Sequence, residues 1–540
     1  MYYLKSNAIA EPLVNQWYAA VHLLSPSTAA MIFAHSHIKI MSSYVASPQM
    51  HELACSHPET KGGPFIDYPT RRVDEVRNLL EKTKQVVSHY LSFAESVTNL
   101  HKLLESHPRG MSLEPLYSQV PDELRGFVEL YYDVANRPHF RFIEQFLYDS
   151  ALNTAPLQTV LLSLVQQDYR PFCLSTPRIQ ADEVSIVKPF GDAFYDQLFS
   201  SRERSLTKDD LTELMTSALD QSDQDAAAQA SFLNLFGTEK PARKCTPLGA
   251  DEPVRIRYFG HACVLIESRT CTILFDPVFS YDYPSDIPRF SYADLPEKID
   301  YVVLTHTHQD HVILEHLLQI RYKIGCVVVP ANVIGALQDP SLKIMLNDLG
   351  FNSVMTLHEF DKIAIPGGYI QGLPFMGEHA DLHIQSKMIY LVQIEGTKIM
   401  CAADSNNLEH RVYEKVHQMT GDVDVLFIGM ECAGAPLSWL YQSFLLTPLT
   451  REVDQSRRLN GCDFEQAKLM VDIFHCTHVY VYAMGQEPWL NYIMGIHYTP
   501  TSLPIVESDK LVAYCKDKNI VAARLFGSET IQLLEGARKG

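Results

Sequence analysis

The chain has no C-x-x-C pair, no run of Lys or Arg, no low-complexity tract and no internal repeat. Each absence excludes a class. Scattered cysteines, eleven in all and so an odd number, do not make a disulfide framework or a zinc ribbon; they read as reduced thiols of a cytoplasmic protein. Asp and Glu outnumber Lys and Arg by 64 to 45, in both halves of the chain, for a net charge of −19. Nucleic acid binding needs clustered positive charge and is excluded as the main activity. Apolar runs such as Ala29–Ala34 fall far short of the roughly 20 residues that span a bilayer. The Met-Tyr-Tyr-Leu-Lys start lacks the basic and apolar regions of a signal peptide. What remains is the composition of an ordinary globular protein, 46% hydrophobic and 20% charged over 540 residues, long enough for two large domains.

Residues 1–245 read as a mainly helical domain. Across Arg71–Glu105, Val73, Val76, Leu80, Val87, Leu91, Val97, Leu100 and Leu104 recur at helical spacing, and His107-Pro108-Arg109-Gly110 stops the run. Thr207 with Asp210 three residues on predicts a capped helix start. The proline-rich stretch from Thr238 to Pro253 breaks the pattern, and 246–253 reads as a linker. From 254 to 540 the texture changes to short β-rich runs: Val254–Phe259, Ala262–Ile266, Cys271–Phe275, Tyr301–Leu304, Cys326–Val329, Met388–Ile394, Lys398–Ala402, Val423–Ile428 and His478–Tyr482. Helical segments at Val312–Ile320 and Phe464–Phe474 lie between them, which predicts an α/β fold of two sheets with helices outside.

The chemistry concentrates in Leu304-Thr-His306-Thr-His308-Gln-Asp310-His311, between a strand and a helix. In an extended loop His306, His308 and Asp310 face one way, and His311 faces another and can reach a second ion. Three imidazoles and a carboxylate within six residues make half of each of two metal sites. The motif resembles the H-x-H-x-D-H signature of the metallo-β-lactamase superfamily. Phe259-Gly260-His261-Ala262 with Leu274-Phe275-Asp276-Pro277 is similar to that superfamily's opening hairpin and structural aspartate. Ala403-Asp404, closing the strand Lys398–Ala402, is similar to its bridging carboxylate. The resemblance implies an αββα sandwich over 254–540.

Two departures follow. Where many members supply a third histidine, this chain reads Met376-Gly377-Glu378-His379. Where they supply a last one, the strand reads Val479-Tyr-Val-Tyr-Ala-Met484-Gly485, and Glu431 just past Val423–Ile428 can replace it. By resemblance the donor set is His306, His308, His311, Asp310, Glu378, Asp404 and Glu431, with either Glu378 or His379 turned to the metal. Asp276 orients ligands. His261 either does the same or is an ordinary part-buried histidine. A carboxylate-rich set shifts preference from zinc towards iron or manganese.

The set, together with Asn15-Gln-Trp-Tyr-Ala-Ala-Val-His-Leu-Leu-Ser-Pro26 and Lys39-Ile-Met-Ser-Ser43, resembles the diiron β-hydroxylases of the chloramphenicol-biosynthesis type. That resemblance implies a monooxygenase with two irons, dioxygen as cosubstrate and an external electron donor. No G-x-G-x-x-G follows a strand, so a separate reductase or ferredoxin is expected. The substrate implied is an aminoacyl group on a carrier domain of a nonribosomal peptide synthetase. The N-terminal domain would serve dimerisation and carrier recognition, and Glu378 would be the ligand that moves to open an iron site. The competing class is a binuclear zinc hydrolase, the commonest activity of the superfamily.

Three further features have plainer readings. His475 and His478 read as structural. Trp439, Tyr441 and Trp489 are either a pocket lining or core. Carrier domains are usually acidic, so docking to this acidic chain needs a local basic or apolar patch. Arg71-Arg72 or Arg202–Arg204 supplies one, unless those arginines only solvate helix ends.

Overall fold

The apolar runs beyond Val254 build two seven-stranded sheets packed face to face in this computed structural model. It describes residues 1–57, 60, 62–179, 183–219, 226–249, 252–332 and 335–533. The first sheet runs Val354–Leu357, Ile324–Pro330, Ile299–Val303, Thr272–Phe275, Cys263–Ser268, Val254–Gly260, Glu529–Ile531. The second runs Lys362–Ile365, Gly368–Leu373, Ile389–Ile394, Thr397–Cys401, Val425–Gly429, His478–Tyr482, Val521–Arg524. Between them lies a dry core that includes Ile256, Val264, Phe275, Val328, Tyr390, Val392, Val425 and Phe427. Outside the second sheet, Tyr413, Val416, Met470, Phe474 and Leu511 bury the apolar faces of the helices His410–Thr420, Phe464–Phe474 and Leu503–Asp517.

The outer face of the first sheet is covered by the N-terminal region. One continuous cluster joins Trp17, Leu24, Phe33 and Tyr90 to Leu265, Leu274, Val302, Leu317 and Val327. That is why the helix Leu314–Ile320 is buried on every side, Glu315, His316 and Gln319 included. Glu315, 0% exposed, is held by Arg170 at 2.9 and 3.1 Å, Tyr281 at 2.7 Å and Tyr18 at 3.1 Å. Arg170 also binds Glu11 at 2.8 Å, so this buried network locks the two regions together. Burying a charge is tolerable only when it is paired, and removing one partner costs about 3–5 kcal/mol. Arg170→Met is therefore expected to lower the unfolding free energy, read from denaturant titration, by an amount in that range. A loss below about 1 kcal/mol, as for a surface bridge, would show that the network does not lock anything.

Helices dominate the N-terminal region as read, but a four-stranded antiparallel sheet joins them, in the order Trp17–Tyr18, Ala8–Val14, Gln158–Leu164, Val184–Ile186. Pro12 and Glu11 mask the strand Ala8–Val14 in the sequence; Glu11 is inside because Arg170 and Arg178 neutralise it. The single helix expected over 71–105 is two, Val73–Val86 and Ser88–Ser106, broken at Val87 (φ −97°, ψ 17°). The β-branched pair Val86-Val87 is a weak helix former, and a new helix opens at Ser88. The capping box at Thr207 and Asp210 forms as expected. From 238 to 249 no helix or strand forms. Among the described residues no helix is long and apolar enough to cross a membrane, and none of the eleven cysteines forms a disulfide.

Candidate metal centre

Strand pairing places the carboxyl ends of five strands at one edge: Val254–Gly260, Thr272–Phe275 and Ile299–Val303 of the first sheet, Gly368–Leu373 and Thr397–Cys401 of the second. His261, Asp276, the His306–His311 loop, Glu378 and Asp404 follow those ends, where open α/β sheets hold their ligands. Three sets of donor atoms, each within 4.8 Å of one another, result: His306, His308 and Glu378; His306, His311 and Asp404; and His261, Asp310 and His311. They share His306 and His311 and form one continuous donor surface.

This grouping corrects the alternation expected of the loop. Asp310 lies with His311, 3.8 Å between Oδ2 and Nε2, and not with His306 and His308. The chain turns after His308, whose carbonyl accepts from the His311 N–H at 3.1 Å, so period-two alternation ends there.

Asp276 anchors the loop. It accepts from the Thr305 N–H at 2.8 Å, the Thr305 hydroxyl at 2.6 Å and His311 Nδ1 at 2.8 Å. Nδ1–H is engaged by Asp276 and Nε2–H donates to Asp404 Oδ2 at 3.0 Å, so Nε2 is the His311 atom that becomes a metal ligand on losing its proton. Burial opposes protonation of His311, but Asp404, Asp310 and Asp276 hold it well above the usual imidazole range. Burial and the neighbouring imidazoles hold His306 well below it. His261 Nδ1 accepts from the Gly485 N–H at 3.2 Å, so its Nε2–H is the face turned to Asp310 Oδ2 at 3.2 Å.

Glu378, not His379, is the one grouped with His306 and His308. Gly377 (φ 76°) and Glu378 (φ 67°) are both left-handed, and a side chain at 377 would lie 2.6 Å from Asn406 Cβ. Left-handed backbone at a glutamate is strained, and this turn aims its carboxylate inward. Glu378 Oε1 contacts His308 Nδ1, while Oε2 sits 3.1 Å from His379 Nε2. Burial, with Asp404 and Asp310 adding to it, raises the Glu378 carboxyl against the pull of His308. His379 Nδ1 meets Tyr441 OH at 2.7 Å, and that hydroxyl meets His308 Nε2 at 3.1 Å.

Asp404 follows the left-handed Ala403 (φ 47°), whose N–H donates to Tyr482 OH at 2.9 Å. So the strand His478–Tyr482, which ends at this centre without a histidine, braces the aspartate with a tyrosine. Gly429 leaves room for it, since a Cβ there would lie 2.5 Å from Asp404 Oδ1. Glu431 lines the same cavity but belongs to none of the three close sets. Burial, with Asp404 adding to it, pushes its carboxyl up to about 8. His306 Nε2, Asp404 Oδ1 and Glu431 Oε2 are all buried without a hydrogen-bond partner. Orphaned acceptors of both kinds, aimed at one space, fit a cation-binding centre rich in oxygen donors.

The centre opens into a cavity of about 1040 Å³ walled by both regions. The N-terminal region contributes Trp17, His22 and Phe172, and the C-terminal region Trp439 and Tyr498. Two residues here carried no site assignment. Burial, and then His308, depress His22 to about 3; Tyr441 touches two imidazoles. Trp489 is core, against Gly260 and under Arg289. His475 and His417 flank Asp422 at the surface, in a group that shares no residue with this centre, and His478 starts a strand.

The fold and donor set define a metallo-β-lactamase-like enzyme with a carboxylate-rich dinuclear centre. Residues 3–238 match the family described as "Diiron non-heme beta-hydroxylase N-terminal domain", and residues 255–436 match "Beta-lactamase superfamily domain". The chain is 36% identical over 538 residues to the 4-amino-L-phenylalanyl-(CmlP-peptidyl-carrier-protein) 3-hydroxylase of Streptomyces venezuelae, covering 98% of this chain and 100% of that one. The crystal structure of that organism's diiron β-hydroxylase CmlA superposes with a TM-score of 0.91 at 36% identity, covering 98% and 99% of the two chains. A mutant of CmlA gives 0.89 at 35% identity, over 99% and 100%. The chain therefore belongs to the diiron non-heme β-hydroxylases. Membership over the full length sets the hydroxylase reading above the zinc hydrolase.

Proposed function

We propose that this enzyme hydroxylates the β-carbon of an amino acid held as a thioester on a nonribosomal peptide synthetase carrier domain. In this reading two irons would be held by His306, His308, Asp310, His311, Glu378, Asp404 and Glu431, with Asp404 shared and Asp276 and His261 orienting the ligands. The observation that carries it is the oxygen-rich donor surface opening into a cavity walled by both regions. When bound, the iron pair supplies the activation of dioxygen, with one oxygen atom going to product, one to water, and two electrons coming from a separate reductase or ferredoxin. The chain does the rest. Trp17, Phe172, Trp439 and Tyr498 offer an apolar wall suited to an aromatic aminoacyl group like that of the Streptomyces enzyme. The strained Gly377-Glu378 turn is the element able to withdraw a carboxylate when substrate enters. Excluding water protects the reacting C–H bond. Homodimer formation through residues 1–245 and a cytoplasmic setting, which suits eleven free thiols, complete the reading.

The test is direct. The purified protein is expected to contain iron rather than zinc, and incubation of the reduced enzyme with aminoacylated carrier and oxygen adds one oxygen atom by mass spectrometry. Product without added oxygen mass, with zinc in the protein, returns the hydrolase. Oxygen consumption is expected to accelerate when the loaded carrier is added, and equal rates with and without it would remove the gating role of Glu378.

A further inference from the structure

A second cavity, of about 550 Å³, lies where residues 202–204, the connecting segment 240–243 and the amino-terminal ends of the strands Ile299–Val303 and Ile324–Pro330 meet. It shares no lining residue with the metal centre. Its charge is opposite to that of the chain as a whole: Arg202, Arg204, Lys240, Arg243, Lys298 and Lys323 line it against only Glu203 and Glu297. Two of these cations are inside. Arg202 is 2% exposed; its Nη2 donates to Ala8 O at 2.7 Å and Gln319 Oε1 at 2.5 Å, but Nε and Nη1 are buried with no partner. Arg202 is therefore no surface docking patch. Lys323 is buried beside it, with Glu203 at 2.6 Å and Pro296 O at 3.0 Å. Both cations lie over the Tyr292 ring, at 4.9 and 4.6 Å from its centroid. At the mouth Arg243 pairs with Glu297, whereas Arg204 and Lys240 are exposed and form no ion pair among the described residues.

A buried guanidinium with two idle N–H groups is costly unless something accepts from it. We propose that this cavity binds a phosphate-bearing small molecule, its phosphate taken by an idle N–H of Arg202 and by Lys323 and its remaining charge by Arg204 and Lys240. A guanidinium and an ammonium side by side suit a phosphate dianion better than a singly charged carboxylate. The volume is within the range of nucleotide-sized sites, and the Tyr292 wall gives an apolar face beside the charge. The inference is independent of the hydroxylation substrate.

Calorimetric titration of the iron-loaded full-length protein at low salt tests it, using inorganic pyrophosphate and adenosine 5′-monophosphate as probes. Wild-type protein is expected to bind at least one of them, and the double variant Arg204→Glu/Lys240→Glu to bind it at least tenfold more weakly. Both positions are exposed, so the fold is not at stake; an unchanged thermal midpoint checks this. Tighter binding of the adenosine probe identifies a nucleoside phosphate, and the reverse identifies a bare polyphosphate. No binding by wild type overturns the proposal. So does equal affinity in the double variant, because the anion then sits elsewhere, the metal centre included.

Discussion

Asp404→Ala is expected to cost more turnover than any change outside the metal centre, by well over 100-fold, the upper end for groups that only orient ligands. Asp404 is the one carboxylate that reaches both histidine groups: its Oδ2 is 3.0 Å from His311 Nε2 and 3.9 Å from His306 Nε2. Its other oxygen has no hydrogen-bond partner. Alanine leaves the two halves of the donor surface unconnected. The expected result is sub-stoichiometric iron by elemental analysis and no oxygen insertion. The fold should persist, because the backbone bonds that set this turn, Gly429 N–H to Ala403 O at 2.7 Å and Ala403 N–H to Tyr482 OH, do not involve the side chain. A variant that keeps two irons and near-normal turnover would show that Asp404 is a strand-end residue and no more. Gly429→Ala provides an independent approach to the same carboxylate. Its Cβ displaces Oδ1 from outside the centre, so the same losses in weaker form should follow.

The parts of this molecule that were legible in advance share one property, that a short stretch of chain carries the whole signal. The strand Val425–Gly429 and the helix Phe464–Phe474 are apolar runs bounded by breakers. His306 to His311 is a ligand cluster within six residues after a strand. What was missed depends on partners far away in sequence. Lys362–Ile365 is only four residues long and Gly368–Leu373 carries two glycines; the second forms because Ile389–Ile394 supplies an edge to pair with, and the first then pairs with the second. Ala8–Val14 holds a proline and a glutamate, and it is a buried strand because Arg170 and Arg178 come to meet Glu11. The choice between Glu378 and His379 could not be made from adjacency, because consecutive left-handed residues abolish the extended geometry that would set them on opposite faces. Tyr441 was recognisable only as an aromatic of two possible uses. Its position between His308 and His379 is a product of the fold.

That position gives the second large effect. The Tyr441 hydroxyl lies between two imidazoles, so it donates to one and accepts from the other; the direction that suits a metal centre has Tyr441 O–H donate to His379 Nδ1. Tyr441 oxygen can then accept from His308 Nε2–H, and the His308 Nδ1 lone pair is left free beside Glu378 Oε1. One hydroxyl thus fixes the tautomers of two histidines and ties the orientation of His308 to that of Glu378. Tyr441→Phe keeps the buried ring, so the fold and the cavity shape should survive. It removes the acceptor for His308 and the donor for His379, and both rings are then free to take the other tautomer. Turnover is expected to fall by about 10–100-fold, the range for lost outer-sphere partners. Because the ring still packs, the Michaelis constant for the loaded carrier should change much less than turnover. The second readout is spectroscopic: the iron absorption of the oxidised protein should shift, since the change acts on a ligand and not on the substrate wall. Trp439→Phe, on that wall but with no contact to an imidazole, serves as the control, with the Michaelis constant moved and the iron spectrum unchanged. Identical spectra and turnover in Tyr441→Phe would mean that the His308 and Glu378 orientations are fixed by packing alone.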